Sequence, residues 1–161
     1  MADYVAESKP AIIDQDVRTS GRIALVGAIV GIAAWGLTLL LERFVLGALF
    51  CSDEAADACM NVTTYAGNIS AIVVAIVGVV ALVKMGVYRP LLIALGAVIS
   101  LWGLAAWLQS LGFVEQLAWT VLLYALLYSV YAWVARVRSV VVVLVVFAVI
   151  AIASRVIPTL L

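Results

Sequence analysis

Long runs free of any charge alternate along this chain with short polar connections, and lysine and arginine fall in every second connection. Lys9, Arg18 and Arg22 precede the first run, Lys84 and Arg89 separate the second from the third, and Arg136 and Arg138 separate the fourth from the fifth. The opposite loops, 51–68 and 112–116, carry Asp53, Glu54 and Asp57 in one case and Glu115 in the other, with no basic residue in either. Basic residues in short loops are retained on the cytoplasmic side of a membrane, so this spacing predicts one topology: five spans, N-terminus cytoplasmic and C-terminus outside. Composition agrees with lipid as the solvent. With 68% hydrophobic and 11% charged residues, the 161-residue chain has too little polar surface to cover a soluble globule.

The expected fold class is therefore all-α, a polytopic integral membrane protein built as one bundle of five transmembrane helices. Residues 1–22 read as a mostly disordered cytoplasmic tail, and 23–161 as a single transmembrane domain with spans at about 23–50, 66–87, 90–111, 117–135 and 139–157. Thr19-Ser20-Gly21 offers capping chemistry before the first span, and Pro90 suits the first turn of the third. The tail is long and partly acidic, unlike the basic leader of a secretory signal, so the first span is expected to be retained. The last reversal, Arg136-Val137-Arg138-Ser139, contains neither glycine nor proline. Length requires it nonetheless: an unbroken helix from Leu117 to Leu161 would extend about 65 Å, twice a hydrocarbon core of roughly 30 Å. Pro158 is expected to close the last span. The setting this implies is a plasma membrane, on this composition a bacterial inner membrane.

Several activities are excluded at this level. The chain has no histidine, which removes imidazole ligands and every nucleophile and base pair that relies on them. No basic run exists to serve as a nucleic-acid footprint. No cofactor or metal site is expected, and the expected partners are the lipid bilayer and a membrane-protein subunit or a second copy of the chain.

Four groups of residues remain as candidates. Cys51 and Cys59 lie in the outside loop 51–68, where an oxidising compartment favours a structural disulfide; a catalytic dithiol is disfavoured because the neighbouring acids raise a thiol pKa. Helical rise places Glu42, Gln109 and Arg155 about 28, 27 and 22 Å above the starts of their spans, all near the outer boundary. With Arg43, Glu115 and Asn68 at similar heights they suggest a polar layer: an ion pair of Glu42 with Arg155, independent interfacial snorkelling, or an outward-facing vestibule for an ion or polar solute. Thr120, Tyr124, Tyr128 and Tyr131 share one helical face, which reads first as interhelical hydrogen bonding and aromatic packing and second as a cleft for a quinone or lipid headgroup. Gly27 and Gly31, with Ala24 and Ala28, form a small-residue seam on span one, and Gly96, Ser100 and Gly103 another on span three; the pattern does not distinguish packing within the bundle from dimerisation.

For function, the sequence favours a non-enzymatic accessory or scaffold subunit of a membrane complex, because it shows no paired catalytic groups, no interrupted spans and few charges at mid-depth. A small transporter or channel with an outward-facing vestibule is the alternative. A thiol-redox or quinone-binding protein is the third reading.

Overall fold

The computed structural model describes residues 17–51, 59 and 61–160, without the side chains of 17, 155 and 157–160. Within these the chain is helical, with no β-strand. Helix α1 (Val17–Leu40) passes without a break into a π-helical stretch, Leu41–Leu46, and then into the short α2 (Gly47–Phe50). Together they make a rod of 33 residues, Arg18–Phe50, about 50 Å long at the α-helical rise. Helices α3 (Val62–Lys84), α4 (Pro90–Ser100), α5 (Leu104–Leu108), α6 (Phe113–Ala135) and α7 (Val140–Leu160) follow. Three helices are long and apolar enough to cross a membrane: the Arg18–Phe50 rod, α3 and α6. Successive long elements reverse direction, so the connections gather at two ends. One holds the Cys51–Cys59 pair, and the other holds Lys84, Arg89, Arg136 and Arg138.

Boundaries expected from hydropathy shift at five places. The first helix starts at Val17, so Thr19-Ser20-Gly21 lies inside it, and Ser20 Oγ accepts a hydrogen bond from Arg136 Nη2 at 2.7 Å in place of capping. Helix α3 starts at Val62, not 66, and α6 at Phe113, not 117. In the second case the extended Gly112 (φ −64°, ψ 155°) begins the helix and its N–H donates to Glu115 Oε2 at 3.2 Å. Pro158 lies in the last turn of α7 and does not end it. The largest departure is in the third apolar run, expected as one span over 90–111. It is broken at Leu101–Gly103, where Gly103 has φ +83°, a conformation that a residue with a Cβ rarely adopts.

α1 packs mainly on α6 and then on α3, while α4 lies against α3, α6 and α7. The α1–α6 seam is made by the two glycines. A Cβ on Gly27 would lie 2.9 Å from Ala125 Cα and from the Tyr124 carbonyl oxygen, and one on Gly31 would lie 2.9 Å from Val121 Cα. The small-residue motif of the first span is thus used within the bundle, where it brings two backbones together. Around it Ile23, Leu82, Ile93, Ala97, Tyr128 and Tyr131 form a close-packed core toward the arginine end.

Arg89 explains the reversal that lacks glycine and proline. Its own backbone is left-handed (φ 54°) just before Pro90, and its guanidinium donates to Val137 O at 3.2 Å and Arg138 O at 3.1 Å, with Tyr88 stacked beneath at 4.8 Å. Two carbonyls of the turn between α6 and α7 are thus satisfied from another loop.

Candidate functional site

The packing loosens toward the disulfide end, where a cavity of about 240 Å³ opens between α1, α3, α5 and α6. Its floor is Tyr124, which is buried just beyond the Gly31 contact. Its mouth lies near Arg43 and Gln109, which are exposed. Trp35, Thr38, Glu42 and Arg43 contribute from the first rod, Thr63 and Ser70 from α3, Gln109 from the end of α5, and Gln116 and Thr120 from α6.

Two backbone irregularities shape this cavity. In the π-helical stretch the Gly47 N–H donates to Glu42 O, five residues back, so residues are spaced more tightly around the axis than in an α-helix, and the consecutive Glu42 and Arg43 both reach the same wall. Opposite, the break at Leu101–Gly103 sets α5 off from α4, and Leu101, Leu104 and Ala105 line the cavity. The Gly103 N–H that the break frees donates to Asn68 Oδ1 on α3 at 3.2 Å. Irregular backbone at such depth is tolerated where it is buried in protein or faces a cavity, and here it does both.

Most of the polar side chains around the cavity are held by hydrogen bonds. Thr63 Oγ1 donates to Glu42 Oε1 at 2.8 Å, and Gln116 Nε2 donates to Leu111 O at 3.0 Å. Thr38 and Ser70 hydroxyls meet at 2.6 Å, while Thr38 also reaches Ala34 O and Ser70 reaches Gly67 O, both at 2.8 Å. Two hydroxyl hydrogens serve three short contacts, so the α1–α3 link competes with the back-bonds inside each helix. Trp35 forms part of the wall with its ring edge-on to Phe113 at 4.6 Å, and its indole N–H is buried without a hydrogen-bond partner among the described residues.

Of the polar layer expected from sequence, Glu42 and Gln109 line the cavity. Glu115 caps the start of α6 instead, and the Arg155 side chain lies outside the described residues. Glu42 accepts from Thr63, a partner that hydropathy and depth did not suggest. The hydroxyl face of α6 divides. Thr120 and Tyr124 line the cavity, with Thr120 Oγ1 donating back to Gln116 O at 2.7 Å. Tyr131 bonds Ser100 across the core at 2.7 Å and packs on Phe147, whereas Tyr128 is fully buried beside Gly78 and its hydroxyl has no hydrogen-bond partner among the described residues.

Cys51 and Cys59 form a disulfide with Cα atoms 4.9 Å apart. The acids expected between them, Asp53, Glu54 and Asp57, lie outside the described residues, as does the tail before residue 17. Among the described residues no three acidic or thiol side chains converge to hold a metal. No family model, curated protein or solved structure matches the chain.

Proposed function

We propose that this chain is a small multi-pass protein of a plasma membrane, bacterial by the expectation above, whose outward-facing vestibule takes up a small polar solute or ion without chemical conversion. In this reading α4 with α5, and α7, add two spans to the three longer helices. The arginine end is cytoplasmic, in keeping with retention of basic loops, and the disulfide end is outside, where oxidising conditions favour the bond. The observation that carries the proposal is the cavity itself: one helix widened by a π-helical stretch, another broken, and a set of polar side chains facing one space, where helix–helix packing alone calls for none of these.

The cavity ends at Tyr124, above the close glycine seam, and this favours a second reading in which the protein is a solute-sensing or accessory subunit of a larger membrane complex and not a complete pore. Both readings share the vestibule.

Cysteine accessibility tests it. The two native cysteines are paired, so Thr38→Cys introduces the only free thiol. A membrane-impermeant methanethiosulfonate added outside intact cells is expected to modify Thr38→Cys and to leave Ala97→Cys, in the close-packed half, unmodified. Protection of Thr38→Cys from that side would overturn the vestibule. A stoichiometric partner in native mass spectrometry would select the subunit reading.

A further inference from the structure

We propose, resting on the vestibule reading, that the solute is a small zwitterion carrying an ammonium group and a carboxylate or similar anion a few bonds apart. Glu42 and Arg43 are consecutive, opposite in charge, and on the same cavity wall. They are not spent on each other. Glu42 is held by Thr63 through Oε1, which leaves its second oxygen, and Arg43 makes no hydrogen bond or ion pair among the described residues. A ligand with one charge meets one attractive and one repulsive neighbour at this wall, whereas a zwitterion satisfies both, so the wall selects against simple cations and simple anions alike. Size agrees: about 240 Å³ is on the order of eight water volumes, room for a molecule the size of a small amino acid. Trp35, lower on the same wall, adds an aromatic surface to the cavity, which suits an ammonium or methylated ammonium group. The π-helical stretch is what presents both charges to one space.

A free solute and the headgroup of a zwitterionic lipid share this chemistry. The test uses the full chain in nanodiscs of phosphatidylglycerol alone or mixed with phosphatidylethanolamine, titrated with glycine, betaine, acetate or methylammonium while thermal unfolding is followed. Glycine or betaine is expected to raise the midpoint by a few degrees in phosphatidylglycerol discs, with acetate and methylammonium inactive. A midpoint already raised by phosphatidylethanolamine, and unresponsive to glycine and betaine, would identify a lipid headgroup as the zwitterion and would equally support the recognition. Glu42→Gln keeps an acceptor for Thr63, so it is expected to fold with an unchanged ligand-free midpoint; Glu42→Gln and Arg43→Gln should each weaken the response at least about tenfold. An equal response to acetate or methylammonium, a full response in either variant, or no response to any zwitterion overturns the proposal. If Thr38→Cys is still modified from outside in that last case, the vestibule stands and only the ligand class fails; if it is protected, both fail.

Discussion

The two ends of the bundle solve the same problem in opposite ways. Toward the arginine end, helices meet through glycine and alanine, buried hydroxyls such as Tyr131 and Ser100 pair across the core, and the last reversal is tied by a guanidinium from a neighbouring loop. Toward the disulfide end, one helix widens into a π-helical stretch, another breaks, and polar side chains line an opening. Without water every backbone group needs a protein partner, and the first end supplies one by regularity. The second end can afford irregular backbone where a side chain such as Asn68 stands in for a missing bond. A bundle of this size can therefore keep its stability in one half and its adaptability in the other.

Substitutions that treat the two halves alike would break that contrast. The largest effect is expected at Gly31. Gly31→Leu drives a side chain into the Val121 backbone and should abolish the monodisperse folded protein in size-exclusion chromatography, whereas Gly36→Leu, on the same helix with open space around its Cβ position, should leave it intact. If both are tolerated, the seam is not what holds α1. Next comes Arg89→Ala, which strips both donors from the Val137 and Arg138 carbonyls and should lower stability by about 2 kcal/mol in denaturant unfolding. Arg89→Lys should recover less than half of that, because an ammonium cannot present the same fork. A smaller effect is expected across the core: Ser100→Ala and Tyr131→Phe should each cost about 1 kcal/mol and be non-additive in a double-mutant cycle, and strict additivity would mean the 2.7 Å contact contributes nothing. The smallest belongs to Asn68→Ala, where water in the neighbouring cavity can replace the lost acceptor for the Gly103 N–H. A loss there larger than at Ser100 would show that the looser half is as rigid as the other.

The placement of basic residues makes the ends of the helices legible, since hydropathy sets lengths and Lys84, Arg89, Arg136 and Arg138 mark the reversals. The break at Leu101–Gly103 was invisible to the same reasoning because Leu101, Trp102 and Leu104 keep the run apolar straight through it. The available signal was the pairing of Gly103 with Asn68, a polar residue near the same depth on the preceding helix. The shared wall of Glu42 and Arg43 was hidden for another reason: α-helical spacing puts consecutive residues about 100° apart, and only the π-helical stretch narrows that angle. Arg89 marks a reversal in the sequence and also serves as a hydrogen-bond donor to another loop, a role set by tertiary contact and not by local sequence. Depth counting brought Glu42 and Gln109 to one level, and they do line one cavity.

The glycine seam also bears on the order in which the molecule comes into being. Gly27 meets Ala125, about a hundred residues further along, so this close backbone contact joins a segment synthesised early to one synthesised late. While α3 and α4 emerge, the glycine face of α1 has no backbone to lie against, and it must wait in the membrane for α6 to arrive. Biogenesis of this protein is then a matter of holding the glycine face of its first helix open, with α3 already packed on another face, until α6 is made, and a ribosome stalled before residue 113 would leave that face to whatever other helix diffuses by.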